Sequence, residues 1–120
     1  MYWITKDFTF SASHRLSGLP EGHPCTRTHG HNYVVRIELS GERLDDAGML
    51  LDYRELAPFG QHLDDVFDHR DLNDILVNPT AEAVAEHLWK VVPDLVPRIN
   101  DFSYSIGLSE TPTCWAWFGG

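Results

Sequence analysis

His29-Gly30-His31 sets two imidazoles two residues apart. On a strand such residues point to the same face. Both rings can then reach one metal ion, and Gly30 leaves the backbone between them unobstructed. His14 lies upstream, in phase with the even-numbered apolar residues Phe8, Phe10 and Ala12. If the segments carrying His14 and His29 pair, a three-histidine set results. Neutral imidazole suits Zn²⁺. Three protein ligands leave a fourth position for water or substrate, as in catalytic rather than structural zinc sites. The chain has seven histidines, and a His-x-His pair also arises by chance, so spacing alone leaves ligation and ordinary strand histidines both open.

Cys25 stands four residues before His29. One reading makes it a fourth ligand that closes the site. The other makes it a general base or nucleophile, because a nearby cation lowers a thiol's pKa. Asp68-His69 joins a carboxylate to an imidazole, which fixes a tautomer and raises basicity; a capped helix end has the same residues. Glu110 closes a strand and suits either a turn or a ligand at the end of a sheet. Cys114, in an apolar and aromatic run, is expected to pack in the core. His23, His62 and His87 are expected in loops or at the surface.

These groups need elements to hold them. Tyr2, Ile4, Phe8, Phe10 and Ala12 alternate with polar residues and read as a strand. Tyr33, Val35, Ile37 and Leu39 read as a second, joined to the first by a long loop holding Gly18, Pro20, Gly22 and Pro24. Long structured loops in compact domains are often functional. Leu56, Phe59, Leu63, Val66 and Phe67 follow helical spacing, weakened by Pro58 and Gly60. Ala81, Val84, Ala85, Leu88, Trp89 and Val92 predict a better helix, with Thr80 as N-cap and Pro93 as its stop. Alternation returns in Phe102, Tyr104, Ile106 and Leu108, and Cys114 to Phe118 forms a last apolar run. The order is strand, strand, helix, helix, strand, strand: one α+β domain, residues 1–120, with an antiparallel sheet. Two helices cover one face of four strands, so the other face and both edges call for a homo-oligomer.

Composition narrows the class of function. Eighteen acidic against nine basic residues leave a formal charge of −9. That excludes non-specific nucleic-acid binding, which needs a basic face, and a polybasic membrane anchor. No stretch approaches the roughly 18 apolar residues of a spanning helix. The N-terminal residues lack the pattern of a signal peptide, and two cysteines are too few for a disulfide scaffold. A cytoplasmic location is expected.

Taken together, the chain resembles the family of 6-pyruvoyl-tetrahydropterin and 6-carboxy-tetrahydropterin synthases. The resemblance rests on Phe10-Ser11-Ala12-Ser13-His14-Arg15-Leu16, Glu21-Gly22-His23-Pro24-Cys25, His29-Gly30-His31-Asn32-Tyr33, Leu51-Asp52-Tyr53, Asp68-His69 with Leu72-Asn73, Asn78-Pro79-Thr80 with Glu82, and Glu110-Thr111. It implies the tunnelling fold, a four-stranded antiparallel sheet with two helices between its second and third strands. It implies trimers whose sheets join into a barrel, stacked as hexamers with active sites between subunits. It implies zinc on His14, His29 and His31, Cys25 as general base, Asp68 and His69 as acid/base partners, and Glu110 as anchor of the pterin ring. Within the family the chain looks most like the bacterial 6-carboxy-tetrahydropterin synthases of 7-deazaguanine (queuosine-type) biosynthesis. The implied reaction is that of a lyase: 7,8-dihydroneopterin triphosphate loses triphosphate and acetaldehyde and becomes 6-carboxy-5,6,7,8-tetrahydropterin. The 6-pyruvoyl product from the same substrate is the alternative; a non-catalytic zinc-binding module, with Cys25 as fourth ligand, is the alternative from another class. So anionic a substrate needs a local basic cluster despite the net charge, and Arg15 and Arg27, which flank the histidines, are the expected contacts.

Overall fold

The computed structural model describes residues 1–120. Its elements run β1 (Tyr2–His14), β2 (His29–Gly41), α1 (Ala57–His62), β3 (Arg70–Asp71), α2 (Ala81–Leu95), β4 (Ser103–Thr111) and β5 (Cys114–Gly119). The sheet order is β3-β1-β2-β4-β5. The four expected strands are all present, in the expected antiparallel order. A fifth, β3, is added at the edge, parallel to β1 at Ala12 and Ser13. Two residues are too short to leave any alternation to read.

β1 and β2 pair without interruption from Tyr2 opposite Gly41 to His14 opposite His29. β2 then pairs with β4, from Val34 opposite Ser109 to Ser40 opposite Ser103. Alternation places Tyr33, Val35, Ile37 and Leu39 of β2 and Tyr104, Ile106 and Leu108 of β4 on one face, all buried. Leu56, Phe59, Leu63 and Phe67, together with Val84, Ala85, Leu88 and Val92 of α2, complete this core. The opposite face carries a row in register across four strands: Asp7, Arg36, Gly107 and Trp117. Arg36 makes a bidentate pair with Asp7 and lies 4.6 Å over the Trp115 ring. Trp117 lies flat on Gly107, where a Cβ would meet its ring at 2.6 Å. Neither helix reaches this face.

The first helical segment is broken into three. A 3₁₀ turn (Tyr53–Leu56) leads into α1, and a π turn (Leu63–Phe67) follows it. Pro58 sits in the first turn of α1, where its missing N–H is not needed. Gly60 makes room for Phe8, whose Cε1 would lie 2.8 Å from any Cβ there. Thr80 caps α2 as expected, accepting the Ala83 N–H at 3.1 Å.

Pro93 does not stop α2, which continues to Leu95. Proline cannot donate to the carbonyl four residues back, here that of Trp89. The Tyr104 hydroxyl of β4 donates to that carbonyl instead, at 2.9 Å. The Trp89 indole N–H returns a bond to the Tyr104 carbonyl at 3.0 Å, and the two rings stack with centroids 5.0 Å apart. Tertiary structure thus supplies the donor the helix lacks.

Three other expectations need correction. His62 and His87 are not surface residues; both are partly buried, each with its ring centroid 5.9 Å from that of buried Phe67. They follow the helical period of α1 and α2 onto the shared core. Cys114 is exposed rather than in the core. It pairs with Thr111 across the Pro112-Thr113 turn, at the end of the sheet. His23 is a turn residue as expected, and its Nδ1 accepts the Cys25 N–H at 3.1 Å. No helix is long and apolar enough to cross a membrane.

Candidate metal centre

His14, His29 and His31 converge. Pairing sets His14 opposite His29 and Ala12 opposite His31, so the three rings share the core face at one end of β1 and β2. One nitrogen from each lies within 4.8 Å of the others. His14 is fully buried, and the other two are partly so.

The outer hydrogen bonds of two rings decide where their protons sit. His14 Nδ1 is 2.8 Å from the Pro79 carbonyl, and His29 Nδ1 is 2.7 Å from the Arg27 carbonyl. A carbonyl only accepts, so both Nδ1 atoms carry hydrogen and both Nε2 atoms are the ones turned to the shared centre. Those Nε2 atoms are 3.0 Å apart. Two imidazole nitrogens at that distance need a cation between them, a proton or a metal ion. His31 Nε2 is buried with no hydrogen-bond partner, and burial holds the ring below its ordinary pKa, against the charge of Glu110. The set therefore offers three convergent imidazoles, two of them oriented by backbone carbonyls, which is how metal-ligating histidines are held. The residues fit a divalent metal such as zinc.

Tyr33 supports this arrangement from beneath. Its hydroxyl is 3.2 Å from His14 Nδ1 and its ring stacks on Phe10 at 4.8 Å. Burial, reinforced by the nearby Glu110 charge, pushes its phenol well above the ordinary tyrosine range, so it stays neutral.

Glu110 approaches from β4. It follows Ile106 and Leu108 in phase, and its Oε2 lies 3.8 Å from His31 Nε2. It also lines a cleft of about 480 Å³ with Ala81, Glu82, Cys114, Trp115 and Trp117. Glu82 was not among the expected site residues. The signal for it was present in the Asn78-Pro79-Thr80 block, because a residue two beyond an N-cap stands at the open end of its helix.

Cys25 is partly buried in a 3₁₀ turn, Pro24–Thr26. Its carbonyl accepts the Leu16 N–H at 2.8 Å, two residues beyond His14. Its sulfur is not among the converging donor atoms, which are those of the three histidines. Arg15 and Arg27 are both exposed. The arginine ion pairs of the chain are those of Arg36, Arg54 and Arg98, so neither of these guanidinium groups is paired.

Asp68 and His69 do hydrogen-bond to each other, His69 Nδ1 to Asp68 Oδ2 at 2.9 Å. They are docked on the outer edge of β1: the Ser11 N–H donates to Asp68 Oδ1 at 2.8 Å, and the Ser11 carbonyl accepts the His69 N–H at 2.6 Å. The Ser11 N–H, with the His69 ring, holds the Asp68 carboxyl below its ordinary value. His69 takes a left-handed backbone with φ 57°, and its side chain is 83% exposed. It borders a depression with Ser11, Ser13, Gly30, His31 and Asn32. By alternation Ser11, Ser13 and Asn32 turn away from the side of the sheet that bears the His14 and His29 rings. Within one chain Asp68 and His69 therefore lie at the outer edge of β1, and of the three histidines only His31 also borders their depression.

The model of the family described as 6-pyruvoyl tetrahydropterin synthase matches residues 3–120. A 6-carboxy-5,6,7,8-tetrahydropterin synthase of Synechocystis sp. is 38% identical over 94% of this chain and 89% of its own. A 6-pyruvoyl tetrahydrobiopterin synthase of Dictyostelium discoideum is 31% identical over 90% of this chain and 88% of its own. The solved 6-pyruvoyl tetrahydropterin synthase of Caenorhabditis elegans superposes with a TM-score of 0.85 at 25% identity, covering 99% of this chain and 95% of that one.

Proposed function

The chain belongs to the 6-pyruvoyl tetrahydropterin synthase family, and from that premise we propose that it converts 7,8-dihydroneopterin triphosphate to 6-carboxy-5,6,7,8-tetrahydropterin. One water is consumed as triphosphate and acetaldehyde leave, and residues 1–120 act as one catalytic domain. The observation that carries the reading is the convergence of three imidazoles, with Glu110 beside His31 and lining a cleft together with Glu82.

His14, His29 and His31 would hold zinc. Zinc at that position supplies Lewis-acid stabilisation of negative charge developing on side-chain oxygens of the substrate. Glu110 accepts hydrogen bonds from the ring N–H and exocyclic amino group along one edge of the pterin, a charge-assisted two-point contact. Glu82 lies in the same cleft and shares the recognition of those donors. The Cys25 thiolate removes a proton from the carbon next to the ring. His69, oriented by Asp68, returns and removes protons on the opposite side. Arg15 and Arg27 are unpaired and meet the triphosphate.

Because Asp68-His69 sits on the outer edge of β1, across the sheet from the His14 and His29 rings, the proposed working site is completed by a second copy of the chain. The outer edge of β1 from Tyr2 to Phe10 and the free edge of β5 suit the joining of sheets into a trimeric barrel, with trimers stacked as hexamers. The bacterial relatives named as 6-carboxy-5,6,7,8-tetrahydropterin synthases favour the 6-carboxy product; a cytoplasmic role in 7-deazaguanine synthesis is part of the same proposal. A 6-pyruvoyl product is the second reading, favoured by the Dictyostelium relative. Incubation with 7,8-dihydroneopterin triphosphate followed by mass spectrometry decides between the products, and release of neither tetrahydropterin refutes both readings.

A further inference from the structure

The pairing of β1 with β2 ends at His14, but the hydrogen-bonding rhythm of β1 continues for three more residues. Odd-numbered residues turn their peptide groups outward. Ser11 bonds to Asp68 and His69, and Ser13 sits opposite β3. Arg15 and Ser17 then bond to side chains. Asn73 Oδ1 accepts the Arg15 N–H at 2.8 Å, and Asn73 Nδ2 donates to the Arg15 carbonyl at 3.0 Å. Asn78 Oδ1 accepts the Ser17 N–H at 2.9 Å, and Asn78 Nδ2 donates to the Ser17 carbonyl at 3.3 Å. A primary amide offers the same donor and acceptor as a peptide group, so the two asparagines stand in for a neighbouring strand. The residue between, Leu16, turns inward, and its N–H donates to the carbonyl of Cys25.

We propose that Asn73 and Asn78 are positioning residues for Cys25. Their amides hold Arg15 to Ser17 extended, and the Leu16 N–H held between them docks the turn that carries the thiol. This rests on the reading of Cys25 as the proton-transfer group. No other side chain of similar size does the same work: aspartate lacks the donor, serine has one short hydroxyl, and glutamine is a methylene longer. Asn78 also precedes Pro79, whose carbonyl orients His14. One short segment thus sets both a metal ligand and the loop bearing the thiol.

The test compares zinc-loaded wild type with Asn73→Ala, Asn78→Ala and the near-isosteric Asn73→Asp and Asn78→Asp. Iodoacetamide labelling is followed peptide by peptide by mass spectrometry, with exposed Cys114 as internal reference. Losing a reciprocal pair of hydrogen bonds raises the undocked population by about tenfold. Because Cys25 is already partly exposed, its labelling should accelerate by at least about threefold, with Cys114 unchanged and one zinc retained per chain. In turnover assays kcat should fall while KM for the pterin stays within about twofold. In a Cys25→Ala background the asparagine substitutions should cost almost nothing further, a non-additivity that a general loss of fold does not produce. Wild-type labelling of Cys25 in the folded variants overturns the proposal. So does failure of all four variants to fold, since the amides would then be needed by the fold as a whole. If wild type turns over no pterin triphosphate, the proposed function falls while the labelling comparison still decides the positioning role.

Discussion

Removing one oxygen atom from Tyr104 should destabilise this protein through a helix in which Tyr104 does not lie. In Tyr104→Phe the Trp89 carbonyl loses its donor, and Pro93 leaves the helix no N–H to replace it. An unsatisfied buried carbonyl costs about 1–3 kcal/mol; this bond is only partly buried, so about 1–2 kcal/mol is expected. With about 2.1 cal/mol/K of unfolding entropy per residue, 120 residues give about 0.25 kcal/mol/K. The melting temperature should therefore fall by about 4–8 °C. Pro93→Ala restores the helical N–H, redundant in wild type but needed in Tyr104→Phe. Differential scanning calorimetry on the four proteins of this cycle should give a coupling of about 1 kcal/mol, with Pro93→Ala more favourable in the Tyr104→Phe background than in wild type. A coupling within about 0.3 kcal/mol of zero, the range of independent sites, refutes the idea that Tyr104 substitutes for the missing donor.

Zinc in about hundredfold excess over its dissociation constant should stabilise the chain by about 2.7 kcal/mol, a rise of about 10 °C. His29→Ala should abolish that rise and the one-to-one stoichiometry in elemental analysis, so a full zinc complement in this variant excludes the site. Glu110→Gln and Glu110→Ala should weaken binding of neopterin by about tenfold to a hundredfold with zinc retained, as followed by fluorescence titration; unchanged affinity removes Glu110 from pterin recognition. Asp68 has a folded pKa below its ordinary 3.8, so its contribution is present above that value and is lost as pH falls through the folded one. Asp68→Asn should flatten the acid limb of stability measured by urea unfolding as pH falls below the ordinary 3.8, and an unaltered limb would show that this carboxylate is not held in its charged form by the fold.

Much of the site could be read in advance because period-2 alternation is unforgiving. His14 fell in phase with Phe10 and Ala12, and His29 and His31 with Tyr33 and Val35, so strand pairing alone brought the imidazoles to one face. Glu110 was equally in phase with Ile106 and Leu108. What could not be read depends on partners far away in the chain. Pro93 is a helix stop by every local rule, and only a hydroxyl from β4 overrules it. Asn73 and Asn78 look like turn residues, and their role exists only once β1 runs past His14. The first helical segment kept its apolar spacing while changing helix type, since Leu56, Phe59, Leu63 and Phe67 are buried whether the turns are 3₁₀, α or π. Cys114 was misplaced because its neighbours are apolar, whereas its exposure depends on where the sheet ends. The relation of Asp68-His69 to the histidines could not be had from spacing at all. It depends on which edge of β1 receives the turn after α1.

The left-handed backbone at His69 sets stability against the proposed acid/base role at one position. An L-residue with a Cβ held at φ 57° costs about 1–2 kcal/mol relative to a right-handed conformation, a cost that glycine escapes. The ring is mostly solvent-exposed, so the fold gains little from its packing. His69→Gly should then melt no lower than wild type, and His69→Asn close to it, while both lack the imidazole. A screen of variants by thermal tolerance would accept replacements here that a screen by turnover would discard. Any attempt to harden this scaffold by optimising backbone preference would erode the proposed acid/base pair first.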